Sequence, residues 1–261
     1  VFQNISNILE KAVKKRLMCE NGGVCCLLSG GLDSSLVAAI ANKYTEQPIH
    51  TFSIGMKGSP DNKWALKVSK WIGSTHHVVI PTQEEFCEAI PEVIKAIESY
   101  DITTVRASVG NYLVAKYIRE NTDFKVVLNG DYSDEVTGGY LYMKLAPDYQ
   151  EFRRECMRLV DNIHFFDSLR SDRTICAHGL EARTPFADKE FVEYYLSVDP
   201  EITSPREEME KFGLREAFRH SGLLPPEVLN RRKEAFSDGV SSQENSWHKI
   251  VHNYLIQLGH I

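Results

Sequence analysis

Apolar residues along this chain recur at two spacings. Ile5, Ile8, Leu9, Val13 and Leu17 fall at near-helical intervals across residues 4–18, with Lys11, Lys14, Lys15 and Arg16 between them. This predicts an amphipathic helix whose basic residues form its solvated face. Val24-Cys25-Cys26-Leu27-Leu28 is instead a short continuous apolar run, as in a strand buried on both faces, and its two cysteines point to opposite sides of that strand. Leu36-Val37-Ala38-Ala39-Ile40 then opens a helix. The alternation continues with strands over 49–54, 76–80 and 125–128, and helices over 61–71, 83–98 and 108–119. Strands separated by helices predict βαβ units, hence an α/β fold built on a mostly parallel twisted sheet with flanking helices. From about residue 146 the pattern is helical, with no convincing strand. The expectation is one domain over 1–261, an α/β half over about 1–145 followed by a helical half over about 146–261, with no repeat, low-complexity stretch or linker.

Composition narrows the field of functions. The chain has 261 residues, a net charge of -6 and 43% hydrophobic residues, enough to bury a substantial core and without the basic bias of a nucleic-acid binder. No apolar run approaches the roughly 20 residues of a membrane span. The six cysteines Cys19, Cys25, Cys26, Cys87, Cys156 and Cys176 contain no C-x-x-C pair. They read as free thiols, mostly packed, in a reducing and cytoplasmic compartment. The histidines have no metal-ligand spacing and read as structural or surface residues. The first residue is Val1 rather than Met, which points to a processed chain or a piece of a longer one.

The chemistry concentrates in two loops. Ser29-Gly30-Gly31-Leu32-Asp33-Ser34-Ser35 lies between a buried strand and a helix start. Glycines there bring backbone N–H groups close to an anion, the helix N-terminus adds partial positive charge, and the serines add hydroxyls. Asp33 would repel phosphate unless a divalent cation lay between, so it is a candidate Mg²⁺ ligand. The second loop, Asn129-Gly130-Asp131-Tyr132-Ser133-Asp134-Glu135, also follows a strand and puts three carboxylates within five residues. At the carboxyl edge of a parallel sheet, where ligands bind, Asp33 and Asp134 can hold Mg²⁺ against pyrophosphate oxygens. The G-x-x-x-x-G-K-[ST] string of kinase-type phosphate loops is absent.

These loops resemble the asparagine synthetase B family. So do Thr51-Phe52-Ser53-Ile54-Gly55, Asp101-Ile102-Thr103-Thr104-Val105-Arg106-Ala107-Ser108, His178 to Phe186 and Arg232 to Gly239, in the family's order from about residue 5 to about 248. The resemblance implies the adenine nucleotide alpha hydrolase-like (PP-loop) fold. It also implies a reaction: the side-chain carboxylate of aspartate attacks the α-phosphorus of Mg·ATP, β-aspartyl-AMP and pyrophosphate form, and ammonia converts the acyl group to asparagine, releasing AMP. Carried over by position, Leu27 and Ile54 flank the adenine. Ser29, Gly30, Gly31, Asp33, Ser34, Ser35, Asn129 and Gly130 contact the nucleotide. Asp33 and Asp134 bind Mg²⁺, and Thr103, Thr104, Arg106 and Ser108 serve aspartate and the intermediate. Asp131 and Lys233 join Arg106 as the catalytic candidates, with Lys233 near the α-phosphate. The roles are chemically apt, since fixed cations stabilise the charge gathered at phosphorus and Arg106 can fork onto a carboxylate.

The second loop departs from the family's usual Ser-Gly-Glu-Gly-Ser-Asp-Glu. Asn129, Asp131 and Tyr132 replace the Ser, the Glu and the second Gly. Asp131 keeps the charge but reaches about 1.5 Å less far, one carbon–carbon bond. Misplacement of that order can slow a reaction about a hundredfold. A related β-lactam-forming synthetase has a Tyr one position earlier. Glutamine-using members also carry an N-terminal glutaminase domain that begins with a Cys nucleophile, and none of the six cysteines here is so placed. The expectation is therefore use of ammonia, or of a glutaminase domain or subunit that supplies it. Three alternatives stand beside this one: another adenylating amide- or β-lactam-forming synthetase, a nucleotide-binding module without catalysis, and a tRNA-modifying relative. The Asp101 to Ser108 stretch opposes the first. The altered second loop motivates the second. Acidic charge and the missing C-x-x-C oppose the third.

Overall fold

The computed structural model describes residues 1–19, 22–166, 169–206, 209–232, 239–242, 246–257 and 259. Among these, β1 (Val24–Leu27), β2 (His50–Ile54), β3 (Thr75–Val79), β4 (Val126–Leu128) and β5 (Glu181–Arg183) form one parallel sheet in the order β3-β2-β1-β4-β5. The chain runs outward from β1 through β2 to β3, then returns across the sheet to place β4 on the other side of β1. The carboxyl ends of β1 and β4 therefore flank the point where strand order reverses, which is where open parallel sheets bind ligands.

The apolar run predicted as a two-face-buried strand is one. Cys26 belongs to a core cluster with Ile5, Leu9, Leu36, Val37 and Val68, contributed by α1 (Phe2–Lys15), α2 (Leu32–Lys43) and α3 (Pro60–Ile72). Cys25 belongs to a second cluster, with Phe86, Val93 and Val109, contributed by α4 (Gln83–Glu88), α5 (Ile90–Ile97) and α6 (Ile102–Asn121). The six cysteines are all free thiols. Cys25, Cys26, Cys87 and Cys156 are buried, Cys19 is intermediate and Cys176 is exposed.

Four readings of the sequence change. First, the later half contributes a strand. β5 pairs in parallel with β4, Val126 opposite Glu181 and Leu128 opposite Arg183, so the two halves share one sheet. Three residues with charged ends carry no legible period. Second, the helix expected over 83–98 is two helices. Thr82 and Glu85 form a reciprocal capping box at α4, and α5 starts anew at Ile90 with Pro91 in its first turn. Pro has no N–H to carry one helix through that point. Third, α6 begins at Ile102 rather than 108, because the Asp101 side chain caps the backbone N–H of Thr104. Fourth, the basic residues of α1 are more than a solvated face. Lys15 and Arg16 reach Asp188 Oδ2 at 3.2 and 2.7 Å, and Lys11 reaches Glu190 at 3.5 Å, tying α1 to the helix Lys189–Ser197.

The adjacent histidines on β3 are structural. His76 Nδ1 lies 2.9 Å from Thr51 Oγ1 and its Nε2 lies 3.2 Å from Ser53 Oγ. Burial, then the neighbouring His77, push its pKa down to about 4. In the unfolded chain an imidazole titrates near 6.5, so stability is complete above that pH and is lost as pH falls toward 4, while the unfolded state takes the proton first. A loss of about 1–2 kcal/mol between pH 7.5 and 5 is expected from this residue in urea unfolding. His76→Gln is expected to flatten that difference.

Candidate active site

The first loop leaves β1 at Leu27 and enters α2 through Gly31, where a Cβ would stand 3.3 Å from Ser29 Oγ. Among the described residues no side chain caps the α2 N-terminus. Within the loop, Ser29 Oγ and Ser34 Oγ lie 3.0 Å apart, Ser34 Oγ accepts from Ser29 N at 3.1 Å, and Ser29 Oγ accepts from Gly31 N at 3.3 Å. The serines thus shape the turn and leave the first-turn N–H groups of a 12-residue helix facing the sheet's carboxyl edge, a ready anion site. Ser35 is fully buried, and its Oγ has no hydrogen-bond partner among the described residues. Leu27 and Ile54 end the neighbouring strands β1 and β2.

The second loop leaves β4 and enters the short helix α7 (Ser133–Thr137). It is pressed against the first. A Cβ on Gly130 would stand 2.5 Å from Ser34 N and 2.8 Å from the Asp33 carbonyl carbon, so only glycine permits this approach. Asn129 is 2% exposed and builds the loop: its N–H donates to the Arg183 carbonyl at 3.1 Å, and its side-chain amide donates to Ser171 Oγ at 2.6 Å. Tyr132, at the family's glycine position, holds φ at 72°, a left-handed conformation that a bulky residue adopts only when its surroundings impose it.

Between the loops lies a group that the sequence did not single out. Lys211 Nζ is 2.6 Å from Asp33 Oδ2 and 2.6 Å from Asp134 Oδ1. Ser133 Oγ donates to Asp33 Oδ1 at 2.9 Å. The lysine side chain is 2% exposed, and each aspartate side chain is 18% exposed. Two carboxylates a hundred residues apart in sequence thus converge on one cation position. Hard oxygen ligands around such a point fit Mg²⁺, which uses one or two carboxylates together with substrate phosphates. Among the described residues no group of three or more His, Cys, Asp or Glu is placed to hold a metal without a substrate.

Asp131 is paired. Its Oδ1 accepts from Arg170 Nη2 at 3.0 Å, and its Oδ2 is buried without a hydrogen-bond partner among the described residues. Arg170 lies in the helical turn Leu169–Arg173, which also presents Ser171 to Asn129 and packs against α6. Glu135 is 3% exposed and its Oε1 accepts from the Tyr140 hydroxyl.

The residues assigned to aspartate stand on α6. Thr103 is exposed at the helix start. Thr104 Oγ1 donates to Asp101 Oδ1 at 2.7 Å, and Ser108, fully buried, donates to the Thr104 carbonyl at 2.7 Å, so both hydroxyl protons are spent inside the helix. The backbone carbonyl of Arg106 accepts from Trp247 Nε1 at 3.1 Å. Arg183 has a structural role at the edge strand, binding Glu181 at 2.7 Å and the Arg16 carbonyl at 2.8 Å. Lys233 lies outside the described residues.

Three further residues tie the later half to the first loop, and periodicity could not mark them. Arg231, within a basic run that reads as surface charge, donates to the Gly30 carbonyl at 3.1 Å and to Asp61 at 3.2 Å, and lies over the Trp64 ring. Arg215 donates to Glu210 at 2.5 Å and to the Arg231 carbonyl at 2.9 Å. Glu210, adjacent to Lys211, is 0% exposed.

A family model described as asparagine synthase matches residues 4–149 and 144–258. Over 260 residues the chain is 51% identical to asparagine synthetase (glutamine-hydrolyzing) of Cricetulus griseus and to that of Homo sapiens, covering 98% of this chain and 46% of each relative. The Gallus gallus relative is 51% identical over 262 residues, with the same coverage. The chain thus spans just under half the length of these curated relatives. Among solved structures, NMN synthetase from Francisella tularensis superposes with a TM-score of 0.51 at 14% identity, covering 98% of this chain and 87% of that one, a likeness of fold alone.

Proposed function

The chain belongs to the asparagine synthase family, and from that premise we propose that it performs the ATP-dependent half of asparagine synthesis, with residues 1–261 acting as one unit. The observation that carries the reading is the convergence of Asp33 and Asp134 beside the uncapped N-terminus of α2. Triphosphate oxygens would receive hydrogen bonds from the first-turn N–H groups. A side-chain carboxylate oxygen of aspartate would attack the α-phosphorus, forming an O–P bond as the bond to the β-phosphate oxygen breaks and pyrophosphate leaves. Ammonia would then attack the acyl carbon, lose a proton and displace AMP. Mg²⁺ held by Asp33 and Asp134 would supply charge neutralisation at the phosphates.

Leu27 and Ile54 would flank the adenine, and Asn129 and Gly130 would form the loop beneath the nucleotide. Arg106, Thr103, Thr104 and Ser108 would receive aspartate, although Thr104 and Ser108 can then act only as hydrogen-bond acceptors unless their present bonds break. Asp131 would do the work of the family's glutamate, held in place by Arg170. Lys233 would serve the α-phosphate. The relatives are named glutamine-hydrolyzing, and a glutaminase domain or subunit is the ammonia source we assign. Among the described residues no helix is long and apolar enough to cross a membrane, and six free thiols suit a reducing, cytoplasmic compartment.

The pairing of Asp131 with Arg170 favours one rival, a nucleotide-binding module without catalysis. One assay separates the two. Pyrophosphate release is measured with ATP, Mg²⁺, aspartate and ammonium salt, each omitted in turn. Release that requires aspartate, with asparagine and AMP appearing together, is the expected result. ATP binding without release would overturn the catalytic reading and leave the binding module.

A further inference from the structure

The ammonium of Lys211 occupies the position that a metal ion would need. Its contacts with Asp33 Oδ2 and Asp134 Oδ1 are both 2.6 Å, so two carboxylate oxygens already face one cation position; Mg²⁺ there would draw them in to about 2.0–2.1 Å. The two cations cannot both lie between the same two oxygens. The arrangement is also built to hold. Lys211 has φ 56°, a left-handed conformation rare for a lysine, at the residue just before the helix Phe212–Phe218. The preceding Glu210 is fully buried and clamped by Arg215, whose Nε also donates to the Glu210 carbonyl at 2.8 Å. Gly139 leaves the slot open, since a Cβ there would collide with both Asp134 Oδ1 and Lys211 Cε.

We infer that Lys211 is the resident counter-ion of the Asp33–Asp134 pair in the metal-free protein, and that metal loading requires its ammonium to leave the pair. This rests on the reading of those two aspartates as the metal pair. A buried ammonium that loses both carboxylates needs another anion. The ATP phosphates, arriving at the N-terminus of α2, are the anion at hand. Metal alone therefore strands the lysine, whereas metal and nucleotide together satisfy it. Lys211 accordingly couples the two ligands: it keeps metal affinity low until nucleotide is present, and by linkage metal raises nucleotide affinity by the same factor. It acts as a positioning residue for the empty site and as a gate on its filling.

The test is Mn²⁺ binding to the whole chain without nucleotide, read by electron paramagnetic resonance, for wild type and Lys211→Met. The methionine keeps the volume and removes the charge. The variant is expected to bind Mn²⁺ at least about tenfold more tightly than wild type, a change of about 1.4 kcal/mol. Equal or weaker binding by the variant, with wild type still binding Mn²⁺, would overturn the role of Lys211 while leaving the metal pair standing. Absence of Mn²⁺ binding in both proteins, even with a non-hydrolysable ATP analogue present, would overturn the metal pair as well. Should Lys211→Met not fold, wild type labelled with ¹⁵N-lysine decides. A protected Nζ resonance that moves as Mg²⁺ and the ATP analogue are added together supports the exchange, and one that does not move refutes it.

Discussion

Replacing Asp134 by asparagine is expected to lower aspartate-dependent pyrophosphate release by about a hundred- to a thousandfold, since polarising a phosphoryl oxygen through a metal contributes several kcal/mol and each 1.36 kcal/mol is a factor of ten. The substitution keeps the shape of the side chain and removes one of the two charges that converge at 2.6 Å on a single point. Lys211 keeps Asp33 as its partner, so the fold should survive, and the circular dichroism spectrum should match wild type. Gly139→Ala probes the same geometry without touching a charge. Its Cβ collides with Asp134 Oδ1 and Lys211 Cε, and moving one of them by about an ångström is enough for a loss near a hundredfold. Release rates within threefold of wild type for Asp134→Asn would remove Asp134 from the metal role.

Arg215→Leu is expected to cost about 3–5 kcal/mol in urea unfolding, the range for breaking a buried ion pair from one side. Arg215 is 4% exposed and Glu210 is 0% exposed. The guanidinium binds the Glu210 carboxylate at 2.5 Å and the carbonyls of Glu210, Leu229 and Arg231. Leucine removes all of these donors at once, and Lys144 stands 3.8 Å from the Glu210 carboxylate. The double change Glu210→Leu with Arg215→Leu should recover part of the loss, because it removes the stranded charge along with its partner. The effect should also reach the first loop. Arg215 holds the Arg231 carbonyl, and Arg231 holds the Gly30 carbonyl. A loss under 1 kcal/mol for the single change would show that the pair adds little beyond packing.

The sequence alone determined the architecture where local signals are dense. The apolar run at β1 reads as a strand buried on both faces, and it is one. Its placement before Ser29 to Ser35, and that of β4 before Asn129 to Glu135, put both loops at one edge of a parallel sheet. The two loops were legible because each is contiguous: glycines, serines and carboxylates adjacent in sequence are adjacent in space. Periodicity failed where an element is shorter than its period, as in β5, or where one residue interrupts a run, as Pro91 does between α4 and α5.

Tertiary structure decided everything that depends on meeting across the chain. Nothing in Glu210-Lys211 distinguishes it from a solvated charged pair, yet both residues are buried, because each ends against an opposite charge: Lys211 against Asp33 and Asp134 from distant loops, and Glu210 against Arg215 in the helix that follows. Arg231 reads as surface and instead anchors Gly30. Arg170 pairs with Asp131 from a turn 39 residues away. Hydrophobic burial depends on the residue's own side chain and so leaves a local trace. A buried charge is stable only through its partner, and the partner's position exists only once the chain has folded.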